Sequence, residues 1–410
     1  MLRTYYRSFI WTLKNQPSLK SRIIELLIRI ISLPLSALIV FIFILIKPFI
    51  KVRFGFLYNR RIGHLAMNTE LFLRRKQLGV YPDDVLYIFF SYKPANDQLL
   101  KMFKRNLCII EHEWVTKLFS PIGMSNNPFR QSLPMNSNEN YEFKATKCIH
   151  YFTPDEEKKG NQELKKMGIP IDAWFVCIFA RDNVYANMTW ADVDHSSTDH
   201  RNADIDSYID AAKYIIERGG YVVRMGYGVS KAFGLKHQNV IDYAIDFRSD
   251  FMDIFLSAKC RFFIGTSSGG SDVSTLFDVP KLAVNYVPIG ASPIGKNEFF
   301  IPKKVIYQST GMQVPFRDVI KLLGDMVVAF GIAPEEVLAQ NGMLIMNNTD
   351  LEIFEATKEM FDRLDDTFVE TKEYQLQLEK YYKILEDENY WAKNAKNPIA
   401  KSYIKNMILS

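Results

Sequence analysis

Polar residues able to handle phosphate and protons stand in this chain just after apolar runs. The first cluster is NRRIGH (59–64). Gly63 permits a close turn and His64 opens a helix. Backbone N–H groups at such a helix start favour an anion, and Arg60 and Arg61 add charge. The bland alternative turns both arginines to solvent or lipid headgroups. His64 is the candidate general base, because imidazole titrates near neutrality.

The second cluster lies in the long polar stretch from Arg181 to Arg201 and continues into RNADIDSY (201–208). Arg201 has the planar fork that clamps a diphosphate bidentately. Asn202 and Asp204 either fix the loop or bind ligand hydroxyls; an ordinary helix-capping cluster is the alternative. His195, Asp199 and His200 lack a fourth ligand, so no metal is expected. The D-x-D pairs Asp192/Asp194 and Asp204/Asp206 are short enough to arise by chance.

Arg224 is the third feature. It closes the apolar strand YVVRM (221–225), where it either points at a ligand's phosphates or marks the end of the sheet. The fourth is TSSGGSD (266–272). Gly269 and Gly270 remove side chains, while Ser267 and Ser268 supply donors beside free backbone N–H groups. The run has no Walker lysine, which argues against an ATPase loop. It is no G-x-S-x-G elbow, so Ser268 is not read as a hydrolase nucleophile. A tight turn without ligand is the plainer reading.

The elements that must hold these clusters follow a β–α rhythm. Strands are predicted at 54–58, 84–90, 107–110, 174–180, 221–225, 260–266 and 281–286, with helical patterns between them. Such alternation predicts parallel sheets, in which ligands bind beyond the carboxyl ends of the strands. A break near Met167 separates two α/β domains, 51–167 and 168–335, and a helical tail occupies 336–410. Thr349 and Glu352 have capping-box spacing. Asp250 is the expected cap of the helix at 250–258, and Gly160 is expected to interrupt the charged helix at 156–166.

The chain has 410 residues, 48% of them hydrophobic, which suffices for two cores. A net charge of +5 without a basic stripe excludes a typical nucleic-acid binder. Four cysteines with no C-x-x-C spacing predict no structural disulfide, and Cys177 and Cys260, in apolar runs, are read as buried, reduced thiols. Residues 30–46 (IISLPLSALIVFIFILI) carry no charge, near the lower limit of about 17 residues for a span. Residues 1–50 are therefore expected to be a membrane-associated helical segment, spanning or shallow, with a buried core helix as the alternative.

The segments YNRRIGHLAMN (58–68), RNADIDSYIDAA (201–212), VVRMG (222–226), FIGTSSGGSDV (263–273), VNYVPIG (284–290) and IPKK (301–304) together resemble a family of bacterial glycosyltransferases found with surface-polysaccharide genes. The resemblance covers about residues 50 to 330. It implies two facing Rossmann-like domains of the GT-B-like type. The C-terminal domain would hold a nucleotide-sugar donor, with Arg201, Arg224 and Ser267–Gly270 at its phosphates. The N-terminal domain would meet the acceptor through Gly63 and His64. His64 and Arg224 are then the candidate catalytic residues. Asp272 is the one candidate for the ribose, where many such enzymes have a glutamate. The implied partners are a nucleotide sugar, a glycan or lipid-linked acceptor and the cytosolic face of the inner membrane, with no cofactor and no nucleic acid. A pyruvyl or phospho-sugar transferase on a similar scaffold, and a noncatalytic anchored scaffold, remain as alternatives.

Overall fold

The computed structural model describes residues 19–124, 127–135, 141–189, 196–324, 334–390, 392–394 and 396–409. It divides into two units, Met1–Asn136 and Ser137–Ser410. The first contains α1 (Leu19–Ile46), β1 (Lys51–Phe56), α2 (Ile62–Gln77), β2 (Val85–Ser91), α3 (Asp97–Phe103), β3 (Cys108–Glu111) and α4 (Glu113–Met124). Strands β1, β2 and β3 pair in parallel in that order. Asn96 starts α3 by accepting a hydrogen bond from the Leu99 N–H at 2.8 Å, which satisfies an orphan donor. Phe72 of α2 meets Phe89 of β2 edge-on, with ring centroids 5.0 Å apart.

The charge-free run forms the second half of α1. Ser32 and Ser36 are buried, and the Ser36 hydroxyl donates to the Leu118 carbonyl of α4 at 2.9 Å. One helical stripe further along, Ile39, Val40 and Phe43 pack on Phe54, Phe90 and Phe129. The rest of the circumference is apolar and uncovered, with Ile31, Leu38, Phe41, Ile42 and Leu45 all exposed. Among the described residues no helix is long and apolar enough to cross a membrane. Of the two expected membrane forms, a span is therefore not seen. The run makes a helix seated by one stripe on its own unit.

The second unit contains α5 (Pro154–Lys166), β4 (Phe175–Phe179), α6 (Ile209–Glu217), β5 (Tyr221–Arg224), β6 (Val240–Ile241), α7 (Asp250–Lys259), β7 (Phe262–Gly265), α8 (Gly269–Leu276), β8 (Lys281–Tyr286) and β9 (Glu298–Pro302). Six of its strands form one parallel sheet, in the order β6-β5-β4-β7-β8-β9, and Lys304–Tyr307 pairs antiparallel with Met343–Met346 apart from it. Val176, Ile178, Val222, Phe262, Ile264 and Leu282 have no exposed surface, as inner parallel strands require. The chain leaves β4 outward through β5 and β6, then returns to β7 on the other flank of β4. That reversal makes β4/β7 the topological switch point, where open α/β sheets bind ligands.

Several expectations need correction. The units divide after Asn136, not near Met167, because α5 belongs to the second core: Leu164 and Met167 pack with Phe255 and Phe263. Gly160 does not interrupt α5. It lets the helix approach Phe255 so closely that a Cβ there would lie 2.2 Å from the ring. Ser249, not Asp250, caps α7 by accepting from the Met252 N–H at 3.2 Å. Strand β9 was not expected. The tail is part of the second unit: α9 (Asp350–Leu364), started by the predicted Thr349/Glu352 box, and α10 (Lys372–Asp387) bury Phe361, Tyr374 and Tyr381 in its core. Beyond them Ile399 bridges to Phe300 of β9 in parallel.

Candidate functional site

In the first unit, β1 runs into a turn at 57–61 that delivers Arg61 as the N-cap of α2, with extended backbone. Gly63 and His64 lie in the first turn of that helix. Arg60, Arg61 and His64 are all exposed. The His64 Nδ1 is 3.0 Å from Oδ1 of Asn68, one turn on. The Tyr58 ring stands edge-on to the imidazole, with centroids 6.4 Å apart. The sequence-predicted cluster is thus assembled around one helix start.

In the second unit, the carboxyl ends of β4, β7, β8 and β9 carry the densest polar assembly. Thr266 follows β7, and its hydroxyl accepts from the Arg181 N–H beyond β4 at 3.1 Å. That bond ties the two loops at the switch point. The Ser267 hydroxyl accepts from the Val287 N–H at 3.0 Å, and the Ser267 carbonyl accepts from the Arg201 guanidinium at 2.9 Å. Ser268 is the N-cap of α8 with extended backbone, yet its side chain makes no capping bond. The amides of Gly269 and Gly270, the first two of α8, have no carbonyl one turn back to accept them, so that end of the helix is suited to an anion.

Asn202 works as a hub. Its side-chain oxygen accepts from the Arg181 guanidinium, its amide donates to Asp199 at 3.1 Å, and its carbonyl accepts from Lys303 Nζ at 2.7 Å. Lys303 follows β9 and is buried. Burial pushes its ammonium down to about 8; Glu335 opposes that shift and Arg181 reinforces it. Beneath the loop lies a buried network. Lys281 Nζ is 3.0 Å from Glu298, 3.4 Å from Asp272 and 2.8 Å from the Thr275 hydroxyl. Burial works against the Lys281 charge, but the two carboxylates outweigh it and raise its pKa. Burial also raises the Asp272 carboxyl, against the pull of Lys281. Asp272 is therefore engaged from below by Lys281.

Two predicted residues fall elsewhere. Arg224 is only 2% exposed. Its guanidinium donates to Asp242 at 3.0 Å and to the Lys231 carbonyl at 3.0 Å, so it braces the 231–242 loop and does not face outward as expected. Asp204 caps the turn Ile205–Tyr208 by accepting from the Asp206 N–H at 2.9 Å, which is the capping alternative. Its partner Lys231, 2.6 Å away, holds its carboxyl below the usual carboxylate range. Asp192, Asp194 and His195 lie outside the described residues. His200 lies 3.0 Å from Glu335. Among the described residues no group of three His, Cys, Asp or Glu could hold a metal ion. Sequence reasoning missed Arg181 and Lys303, although each directly follows an apolar strand, the signal that singled out Arg224.

No family model matches the chain, and no curated protein does. Among solved structures it is similar to E. coli ADP-heptose lps heptosyltransferase II, at 12% identity and a TM-score of 0.40 over 62% of this chain and 90% of that one. It is also similar to a glycosyl transferase family 9 protein from Veillonella parvula DSM 2008, at 10% identity and a TM-score of 0.41 over 62% and 86%. A third similarity is to E. coli heptosyltransferase WaaC with ADP, at 9% identity and a TM-score of 0.27 over 61% and 93%. Likenesses this distant carry no argument about the site, which stands on its own geometry.

Proposed function

We propose that the chain is a glycosyltransferase that moves a sugar from a nucleotide-sugar donor to a glycan or lipid-linked acceptor. The observation that carries this reading is the switch-point edge of the second unit. There a helix start without a side-chain cap, Gly269–Gly270, follows the loop that Arg181 and Arg201 hydrogen-bond, and Lys303 joins the same network through Asn202. Arg181, Arg201 and Lys303 would supply the positive charge a diphosphate needs. As the acceptor oxygen bonds to the anomeric carbon, its proton passes to a general base, for which His64 is the candidate. The bond from that carbon to the diphosphate breaks, and the electron pair leaves on the diphosphate. Helix amides and guanidinium groups stabilise that departing charge where it develops.

The uncovered apolar circumference of α1 supports a tether on a lipid surface, which would present a lipid-linked acceptor to the same protein. The test is calorimetry of the purified full chain against UDP, GDP, CMP, dTDP and ADP sugars. Binding of one nucleotide class, followed by sugar transfer to a lipid extract, is expected. Turnover of phosphoenolpyruvate with no nucleotide sugar consumed would reject the reading.

A further inference from the structure

We infer that Asn68 is a positioning residue that fixes the tautomer of His64, with the proton on Nδ1 and the lone pair on Nε2. Asn68 is 2% exposed and lies one helical turn after His64 in α2. Its Nδ2 is 2.5 Å from the Pro134 carbonyl and 3.0 Å from the Met135 carbonyl. A carbonyl only accepts, so these two oxygens demand the NH₂ end of the amide. The amide orientation is thereby set by the backbone around it. Its oxygen is left facing the His64 Nδ1 at 3.0 Å. Since that oxygen only accepts, Nδ1 must be the donor. The opposite tautomer would set two lone pairs against each other in a partly buried contact.

The segment that leads to these carbonyls is itself held in place. The segment after α4 runs beside β1, where the Phe54 N–H donates to the Phe129 carbonyl at 2.6 Å and the Gln131 N–H donates to the Phe54 carbonyl at 2.7 Å. The path from β1 through 129–135 to Asn68 and His64 therefore has a direction, and it ends with a lone pair on the exposed side of the ring. In free histidine the neutral ring favours the proton on Nε2, so this arrangement reverses the intrinsic preference. The catalytic meaning rests on the reading of His64 as the base: Nε2 takes the hydroxyl proton while Asn68 steadies the positive ring through Nδ1–H.

The test is nitrogen NMR of the full chain in detergent with labelled histidine. Six histidines give few signals, and His64→Gln identifies the one that belongs to His64. With the ring neutral, wild-type His64 is expected to show a protonated Nδ1 and an unprotonated Nε2; the reverse pattern overturns the proposal without any variant. Asn68→Leu should shift the population toward Nε2–H. In transfer assays Asn68→Leu should lower kcat about tenfold with donor affinity unchanged, part of the roughly 10²–10⁴-fold that a general base supplies. A confirmed tautomer with no transferase activity would reject the enzyme reading and leave the Asn68–His64 assignment standing. An unaltered tautomer in Asn68→Leu would reject the assignment itself.

Discussion

Arg201 reaches across from the end of the Ser196–Arg201 turn to donate to the Ser267 carbonyl at 2.9 Å, joining the two polar loops that flank the switch point. One guanidinium thus shapes the loop that offers the Gly269 and Gly270 amides. Arg201→Ala should weaken nucleotide-sugar binding about ten- to a hundredfold, since a charge-assisted bond contributes about 1.5–3 kcal/mol. Arg201→Lys should recover only part, because an ammonium lacks the fork. Unchanged calorimetric affinity in Arg201→Ala would remove Arg201 from the donor site.

Arg224 should behave in the opposite way. Its guanidinium is buried against Asp242, so Arg224→Ala leaves a partly buried carboxylate without its cation. Loss of one partner from such a pair costs about 3–5 kcal/mol. The expected result is a large drop in Tm, with donor affinity in the protein that stays folded close to wild type. A variant with normal Tm and abolished binding would put Arg224 back at the phosphates.

These two arginines show where the sequence is legible and where it stops. Arg224 closes an apolar strand, whereas Arg201 ends a turn in a long polar loop. Whether a strand-end arginine turns outward depends on what the next loop supplies. After β5 that loop brings Asp242 and the Lys231 carbonyl, whereas Ser267 offers Arg201 only its carbonyl. Such partners lie from 7 to 66 residues away and leave no local pattern. Lys303 was hidden for a related reason: β9 is a short run beside two prolines, and its value shows only once Pro302 pairs with Tyr286. The glycine-serine loop was readable because its chemistry is local, a strand ending directly in a helix start. The unit boundary was not, since the evidence for it is packing of α5 on α7.

Helix α1 makes a prediction about membranes that avoids truncation. Deleting residues 1–50 would also uncover Phe54 and Phe90, which its buried stripe covers. Substituting Leu38 and Leu45 by Glu leaves that stripe in place and charges the exposed side. The doubly substituted protein should float with anionic vesicles far less than wild type at high salt, because a charged side chain resists burial among acyl chains. Equal flotation of both proteins would exclude this face as the lipid contact.

Lys303 gives the site a pH signature. Its folded pKa of about 8 lies below the ordinary lysine value of 10.5, because it is buried beside Arg181 with only Glu335 to compensate. Below about pH 8 the charged ammonium is held in an environment that disfavours it. Between about 8 and 10.5 the unfolded chain binds more protons at this residue than the folded one. Lys303 alone therefore makes stability rise with pH across that window. A bound diphosphate reverses the local balance, since an adjacent anion favours the charged form. Donor binding near pH 8.5 should thus take up a proton, and affinity should fall as pH rises from about 8 to 10. Calorimetry in buffers of different ionisation enthalpy reads the proton directly. Lys303→Met should bind about tenfold or more weakly, through loss of one charge-assisted bond, and should bind with no proton uptake in this window. If proton uptake is the same in wild type and Lys303→Met, the titrating group is another residue and Lys303 does not face the phosphates.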